Sequence, residues 1–121
     1  MTIRLELPYP PSVNHYYRHV GRKVLISRSG RQYRQAVELL VTLTNPPRPL
    51  LGRLAFWVDV FPPDRRKRDI GNLDKCLADA IQHAGLIADD EQIDDLRYTR
   101  REVRKEGLVI VTITQLEEPG Q

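Results

Sequence analysis

The sequence predicts an α+β fold: a single domain in which one mixed β-sheet is covered by two helices, in the order strand-helix-strand-helix-strand-strand. Three observations predict it. Segments of alternating or β-branched apolar residues are interspersed with segments whose apolar residues have helical spacing. Proline clusters stop these segments at three points, because proline removes a backbone donor and restricts φ. A chain of 121 residues has room for one hydrophobic core, which a sheet packed against helices can bury.

The N-terminal region predicts a strand, an irregular segment and a hairpin. Apolar and polar residues alternate from Ile3 to Leu7, as in a strand with one buried face. The proline-rich segment 8–14 cannot continue that strand. Residues 16–27 are interpreted as a short hairpin around Gly21.

A helix is predicted next. Ser29 is the expected N-cap, with Gln32 as its capping-box partner. The apolar residues that follow have helical spacing, namely Tyr33, Val37 and Leu40. The proline-rich segment 45–49 ends this helix and forms a stiff connector.

The second half of the chain predicts a strand, a helix and two further strands. Residues 54–61 are rich in aromatic and β-branched side chains and predict a central strand. The second helix is predicted at 72–83, followed by Gly85 as its C′ residue. Segments 96–103 and 108–114 then predict two strands.

Two segments remain, the connection between the last two predicted strands and the C-terminal tail. Residues 105–107, Lys-Glu-Gly, are interpreted as a hairpin turn that joins the two strands. The tail, residues 117–121, is expected to fray.

The charge of the chain is distributed unevenly. Residues 1–68 hold 13 Lys and Arg against 4 Asp and Glu, a balance of +9, and residues 69–121 hold 6 against 12, a balance of −6. A basic surface favours a polyanion such as nucleic acid. Clustered acids would repel that polyanion unless cations lay between them, so the distribution suggests a metal-dependent nuclease. The alternative is a solvated surface with uneven charge.

Several other classes of protein are disfavoured. Cys76 is the only cysteine, so neither an internal disulfide nor a cysteine-rich zinc site is expected, and a buried thiol is favoured over a nucleophile. The reducing cytoplasm is the expected location. No apolar run approaches the roughly 20 residues of a transmembrane helix, and no secretory signal is recognised.

The region around the second helix carries the strongest chemical signal. Four consecutive bases, residues 65–68, follow the central strand and end at Asp69. They are candidates for phosphate contact, unless they form a solvated charge run. Helical spacing places Asn72, Lys75 and Asp79 on one polar stripe, and the alternative for the last two is an exposed ion pair.

An acidic loop follows the second helix. Five acids occupy seven residues there, namely Asp89, Asp90, Glu91, Asp94 and Asp95. They are candidate ligands for Mg²⁺, which prefers carboxylate and water oxygens; the alternatives are a solvated loop or pairing with arginines of the first half. A helix of this length separates Asp69 from Asp90 by some 20 Å, so the two can meet only if the loop or the following strand folds back.

The residues that could perform chemistry fit one mechanism. Divalent cations held by carboxylates can stabilise the charge of a phosphodiester under attack and lower the pKa of the attacking water. A lysine beside them, here Lys75, can stabilise the transition state or the leaving oxygen.

The chain resembles the RusA-type Holliday junction resolvases, a family common in prophages. The resemblance runs nearly end to end. It is carried by the proline-rich start at residues 7–19, by Ser27, Gly30, Tyr33 and Arg34 at the first helix, by the segments 63–69 and 72–75, and by Asp79-Ala80, Gly85 and Asp89-Asp90.

The resemblance implies a homodimer that acts on four-way DNA junctions with Mg²⁺ or Mn²⁺, and that uses one subunit for each of two symmetry-related nicks. It implies metal binding by Asp69 and Asp90 and an essential role for Lys75. We also expect Asp89 to be a metal ligand, with Asp79 and Asn72 as supporting residues. The residues expected to contact DNA are Arg65, Arg66, Lys67, Arg68, Asn14, Tyr17 and Arg18.

One position departs from the family pattern. The family has an aspartate two residues after the first one, and Gly71 stands there in this chain. Either Asp89 or Asp74 could compensate, although Asp74 would point about 160° away from Asn72 on a continuous helix. The alternative is a junction-binding protein whose catalysis is weakened or lost. A third hypothesis is a regulatory protein whose acidic loops bind a protein partner.

One aromatic residue of the central strand also has two interpretations. Trp57 is predicted to pack in the core, and the alternative is stacking on opened DNA bases.

Overall fold

The computed structural model describes residues 1–116. Predicted fraying of residues 117–121 lies outside the described residues. The strands and helices are β1 (Thr2–Pro8), α1 (Val13–Tyr16), β2 (Tyr17–Val20), β3 (Lys23–Ile26), α2 (Arg28–Thr44), β4 (Leu54–Phe61), α3 (Asp74–His83), β5 (Ile93–Arg100) and β6 (Leu108–Gln115), with 3-10 turns at Ile70–Leu73 and Asp90–Gln92. The predicted α+β class is confirmed, and α1 is an additional short helix. None of the helices in residues 1–116 combines the length and apolar character needed to cross a bilayer.

The main sheet has the strand order β1-β6-β4-β5, and β2 and β3 form a separate hairpin. β6 is antiparallel to both β1 and β4, whereas β5 is parallel to β4. The predicted pairing of the last two strands as a hairpin is therefore wrong, because β4 lies between them. Residues 105–107 do form a turn, in which the amide of Gly107 donates to the carbonyl of Arg104 at 2.8 Å.

Composition explains this strand order. β4 is buried along nearly its whole length, as a central strand must be, whereas the polar and charged β5 lies at an edge. A parallel pair needs a crossover connection, which α3 supplies between β4 and β5.

Helices α2 and α3 cover one face of the sheet. The alternating residues of β1 and β6 point into this core, and the apolar face of α3 packs onto them; the members are Ile3, Leu5, Leu7, Val109, Val111, Ile113, Cys76, Leu77, Ala80 and Ile81.

Trp57 belongs to the opposite face of the sheet. It is 42% exposed, so its predicted burial in the core is wrong. Its neighbours Phe56 and Val58 are buried, and strand alternation therefore turns Trp57 outward. The guanidinium of Arg97 lies 4.1 Å from the centroid of the indole ring.

Helix α2 begins two residues earlier than predicted. Ser27, not Ser29, is the N-cap, and its hydroxyl accepts a hydrogen bond from the amide of Gly30 at 3.0 Å. A side chain at Gly30 would collide with the carbonyl of Tyr16, so glycine allows α2 to pack tightly against α1. At the other end Asn45 adopts the left-handed conformation and closes the helix.

The start of α3 also differs from the prediction. Residues 70–73 form a 3-10 turn, and α-helical geometry begins only at Asp74. Gly85 follows α3 with φ of +81°, as predicted for a C′ residue. The tighter 3-10 geometry changes the angular relation between Asn72 and Asp74 from that of a continuous helix.

Candidate active site

The loop after α3 returns to the sheet and presents Asp90. Leu86 and Ile87 are buried, and a bridge pairs Ile87 with Leu50 before β4. The side chain of Gln92 ties the loop down, accepting from the amide of Ala88 at 2.8 Å and donating to the carbonyl of Leu50 at 3.0 Å. The loop is thus fixed beside the segment that leads into β4.

The acids of this loop have different partners. Arg53 binds Glu91 and Asp94 at 3.0 and 2.5 Å, and Arg97 binds Asp95 at 3.1 Å. Glu91 and Asp94 therefore pair with an arginine of the first half, as one of the sequence alternatives held, whereas the partner of Asp95 lies in the second half of the chain.

Asp89 and Asp90 make no ion pair with a base within residues 1–116. The carboxylate of Asp89 caps the 3-10 turn by accepting from the amide of Glu91 at 3.0 Å, which lowers the pKa of Asp89. The side chain of Asp90 is exposed, and its pKa is raised by a hydrogen bond with Asp89, by slight desolvation and by the negative charges of Asp89 and Asp74. A cation beside Asp90 would offset the repulsion from these neighbouring carboxylates.

Asp90 shares a cavity with two predicted site residues of α3. We call this the acidic cavity; its volume is about 280 Å³, and it is lined by Tyr17, Asp74, Lys75, Ala78, Asp79, Gln82 and Asp90. The Nζ atom of Lys75 lies 4.9 Å from the ring centroid of Tyr17. The structure thus brings Asp90, Lys75 and Asp79 to one cavity, but Asn72, the third residue of the predicted stripe, does not line it.

Asp74 is held in this cavity by β5. The hydroxyl of Tyr98 donates to Oδ1 of Asp74 at 2.8 Å. Burial, together with the negative charge and hydrogen bond of Asp74, raises the pKa of Tyr98, so this hydroxyl stays protonated and donates. On a continuous helix from Asn72, the side chain of Asp74 would point away from the predicted site. That geometry does not apply, because α3 begins only at Asp74.

The partner of Asp79 is on another helix. Arg34 of α2 donates from Nε and Nη2 to the two oxygens of Asp79 at 2.9 and 3.0 Å, and the hydroxyl of Tyr16 donates to the same carboxylate. The predicted alternative of a Lys75–Asp79 ion pair is therefore wrong. Burial raises the pKa of Asp79, but the hydrogen bonds from Arg34 and Tyr16 outweigh burial and lower it.

The environments of two other side chains of α3 indicate what each can do. Lys75 makes no ion pair with an acid in the part of the chain that the structure describes, so its ammonium is available to a substrate. Cys76 is fully buried, and burial raises the pKa of its thiol to about 11, as expected for a thiol that is not a nucleophile.

Asp69 lies in a second cavity. We call this the basic cavity; its volume is about 490 Å³, and it is lined by Tyr9, Ser12, His15, Pro63, Arg66, Lys67, Arg68, Asp69, Asn72 and Leu73. The carboxylate of Asp69 accepts a hydrogen bond from the amide of Gly71 at 2.9 Å. The linings of the two cavities meet in the sequence, since Asn72 and Leu73 line the basic cavity and Asp74 and Lys75 line the acidic cavity.

The convergence of Asp69 and Asp90 on one ion stays a prediction. Within residues 1–116, no three acidic, histidine or cysteine side chains are already arranged as a metal-binding group.

The basic run is shaped by Asp64. This carboxylate binds both guanidinium groups of Arg66 and Arg68, and these contacts hold the pKa of Asp64 well below its usual range. Arg68 is half-buried, and its carbonyl accepts a hydrogen bond from Arg100 at 2.6 Å. We therefore assign Arg68 mainly to holding the loop in shape.

Arg65 and Lys67 differ from the arginines that Asp64 binds. Both are exposed, and neither forms an ion pair within the described chain. Of the four bases they are the freer candidates for phosphate contact.

Comparison with known proteins decides the family. The profile described as "Endodeoxyribonuclease RusA" matches residues 8–114. The chain belongs to the RusA family. It is 40% identical over 111 residues to the crossover junction endodeoxyribonuclease rusA of Enterobacteria phage HK97, covering 92% of each chain. It is 36% identical over 115 residues to the corresponding proteins of Enterobacteria phage 82 and Escherichia coli strain K12, covering 95% of this chain and 96% of theirs. The predicted resemblance and the endodeoxyribonuclease activity class are confirmed.

Gly71, the departure from the RusA pattern, lies directly beside Asp69. A Cβ atom built at Gly71 would be 3.2 Å from Oδ1 of Asp69. An aspartate at this position would therefore place a second carboxylate next to the first. In this RusA chain the amide of Gly71 binds Asp69 instead.

Of the remaining predicted DNA contacts, Tyr17 lines the acidic cavity, whereas Asn14 and Arg18 line neither cavity. Asn14 is exposed on α1, Arg18 is exposed on β2, and Tyr17 is half-buried at the rim of the acidic cavity. Tyr98 and Arg34 are contributors to the site whose roles the sequence patterns did not reveal. Each acts through a contact that joins distant parts of the chain, a class of interaction that helical or strand periodicity does not report.

Proposed function

We propose that this RusA-family endonuclease resolves four-way DNA junctions as a homodimer, by Mg²⁺-dependent phosphodiester hydrolysis. The observation that carries the proposal is the acidic cavity, in which Asp90, Asp74 and Lys75 converge. Asp69 lies in the basic cavity, whose lining residues Asn72 and Leu73 directly precede Asp74 in the sequence. The relatives from phages HK97 and 82 are named crossover junction endodeoxyribonucleases, which supports the choice of substrate.

The donors of the acidic cavity fit a hard divalent cation. Mg²⁺ takes carboxylate and water oxygens and is usually held by one or two carboxylates, and Mn²⁺ accepts the same ligands. Asp90 meets this requirement, because neighbouring carboxylates raise its pKa and a cation would relieve their repulsion. Asp69 is the proposed ligand from the basic cavity.

Asp74 is the proposed substitute for the carboxylate that Gly71 lacks. It lines the acidic cavity and is oriented by the hydroxyl of Tyr98. Asp89, the other candidate, is engaged in capping the 3-10 turn. We therefore assign Asp89 to shaping the loop and to the charge around Asp90.

The remaining residues have distinct roles in this proposal. When bound, the metal ion supplies positive charge at the scissile phosphate and acidifies the attacking water. Lys75 stabilises the charge that develops on the phosphate, because its ammonium faces the cavity without a carboxylate partner among the described residues. Arg65 and Lys67 hold the DNA backbone, and Arg34 keeps α3 in place through Asp79.

The homodimer is proposed on the symmetry of the substrate. A four-way junction presents two equivalent strands, and a twofold dimer places one site at each. Location in the cytoplasm likewise stays a prediction.

Cleavage of a synthetic four-way junction tests the proposal, with linear duplex of the same sequence as control. We expect Mg²⁺-dependent paired nicks in the junction, and loss of cleavage with retained junction binding in Asp90→Asn, Asp69→Asn and Lys75→Met. Cleavage that persists in both aspartate variants would overturn the site assignment.

A second candidate function rests on Gly71. If a carboxylate beside Asp69 is indispensable, the chain recognises junctions without cutting them. Junction binding with no cleavage in either Mg²⁺ or Mn²⁺, together with cleavage in Gly71→Asp, would favour this candidate.

A further inference from the structure

The β2–β3 hairpin combines exposed basic and exposed apolar side chains on one face. Strand pairing sets Arg18 opposite Leu25 and Val20 opposite Lys23, so these four side chains share a face. All four are exposed, and Val20 and Leu25 are 43% and 44% exposed. Within residues 1–116 nothing covers this face.

The charge around the hairpin selects a polyanion as the occupant. The span from residue 7 to residue 37 contains no Asp or Glu, and its bases are Arg18, Arg22, Lys23, Arg28, Arg31 and Arg34. Of these, Arg34 binds Asp79, whereas the three bases of the hairpin make no ion pair within the described residues. A protein partner would have to be strongly acidic to match this surface, whereas DNA matches it at every phosphate.

The base of the hairpin is anchored at the rim of the acidic cavity. Tyr17, the first residue of β2, lines that cavity next to Lys75. The amide of Ser27 donates to the carbonyl of Tyr16 at 2.9 Å, which closes the base of the hairpin. At the tip Gly21 has φ of +60°, a conformation that glycine adopts readily in a tight turn. The hairpin is thus a short ribbon that projects from the edge of the site.

We propose that this face of the hairpin contacts the branch point of the junction, with Arg18 and Lys23 at phosphates and Leu25 against bases that are unstacked there. The choice of a junction rests on the proposed function. Apolar side chains gain little from the hydrated backbone of a paired duplex, but they pack against or insert between bases where stacking is interrupted. The hairpin therefore distinguishes branched from linear DNA, while the cavities carry out hydrolysis.

Binding measured in EDTA tests the apolar part, because cleavage is then absent. We expect Leu25→Ser to bind a four-way junction roughly tenfold more weakly, as one lost apolar contact predicts, with unchanged affinity for linear duplex. Leu43→Ser is the matched control, since Leu43 is 72% exposed on α2, away from the hairpin strands. Unchanged junction affinity in Leu25→Ser, or equal losses on junction and duplex, would overturn the proposal.

Salt dependence tests the basic part. In the double variant Arg18→Gln with Lys23→Gln, the slope of log affinity against log salt should fall by about 2, since each lost phosphate contact removes close to one unit. A slope equal to that of the original protein would show that these bases do not contact phosphate.

A single-thiol variant provides a direct footprint. Cys76 is fully buried, so Leu25→Cys introduces one reactive thiol on the hairpin. Saturating junction should slow its alkylation by maleimide several-fold, while the thiol introduced by Leu43→Cys should react at an unchanged rate. Equal rates at position 25 with and without junction would overturn the hairpin contact.

The two proposals can fail separately. If the unmodified protein binds junctions no better than duplex, the proposed junction function fails. If it prefers junctions and Leu25→Ser retains that preference, the hairpin proposal alone fails.

Discussion

Arg34 on α2 holds Asp79 on α3 through two nearly equal hydrogen bonds, of 2.9 and 3.0 Å. Both side chains are about one quarter to one third exposed, and the carboxylate also accepts from Tyr16. This bidentate pair joins the two helices that cover the sheet. Because Lys75 is one turn from Asp79 on α3, the pair also determines where the ammonium group of the site lies.

Removing Arg34 should destabilise the protein. Arg34→Met leaves a partly buried carboxylate without its cation, and we expect the free energy of unfolding to fall by about 1–3 kcal/mol. Urea denaturation followed by circular dichroism measures this change. Glu38→Gln is the control, because Glu38 pairs with His83 only at 3.8 Å on the surface and should change stability by less than about 0.5 kcal/mol. A loss in Arg34→Met as small as that of the control would contradict the role given to Arg34.

The same pair predicts a pH dependence of stability. The pKa of Asp79 is lower in the folded protein than in the unfolded chain, so the unfolded chain binds more protons as the carboxyl titrates. The contribution of Asp79 should therefore be complete above the ordinary carboxyl pKa and should be lost as the pH falls towards the folded pKa. Unfolding of the original protein and of Asp79→Asn, compared from pH 7 to pH 3, measures it. A stability difference that stays constant over this range would contradict the assignment.

The hydroxyl of Tyr98 should contribute to metal binding through Asp74. Tyr98→Phe removes the hydrogen bond that orients this carboxylate, and we expect Mn²⁺ affinity to fall roughly tenfold, as for other residues that orient a ligand. Electron paramagnetic resonance titration with Mn²⁺ measures binding without DNA. Tyr33→Phe is the matched control, because the hydroxyl of Tyr33 donates to the carbonyl of Pro8 at 2.7 Å, in a bond that involves no site carboxylate. Equal Mn²⁺ affinities in both variants would remove Asp74 from the proposed ligands.

Introducing a carboxylate at position 71 should strengthen metal binding. The Cβ of Gly71→Asp would lie 3.2 Å from Oδ1 of Asp69, and a small rotation of that flexible carboxylate relieves the contact. We expect half-maximal junction cleavage at a several-fold lower Mg²⁺ concentration. Gly71→Asn, which has nearly the same shape without the charge, should show no such gain. If both variants behave alike, the effect comes from the backbone and not from a new ligand.

The segments that the sequence predicted well depend on near neighbours along the chain. Strand β1 was predicted from alternation, and β4 from its apolar run, and the proline clusters predicted where elements end. These predictions succeeded because strand and helix periodicities are local properties. The N-cap of α2 was predicted at Ser29 and lies at Ser27. Both residues are serines, and only the backbone conformation decides which of them caps the helix.

The candidate site was only partly predictable. Lys75, Asp79 and Asp90 were identified from spacing and resemblance, and the structure places them in one cavity. Asp74 was underrated because the 3-10 turn before α3 alters the angle at which its side chain leaves the chain. Asp69 lines the basic cavity, and its convergence with Asp90 on one ion stays a prediction.

By itself the sequence determined the class of fold, most of the elements, the separation of basic and acidic residues and the family. Only the tertiary structure decided that β4 separates β5 from β6, that Asp79 pairs with Arg34, and that Tyr98 reaches Asp74. The physical reason is the range of the interactions. Periodicity and turn chemistry act over a few residues, whereas strand order and ion pairing depend on which distant segments the core brings into contact.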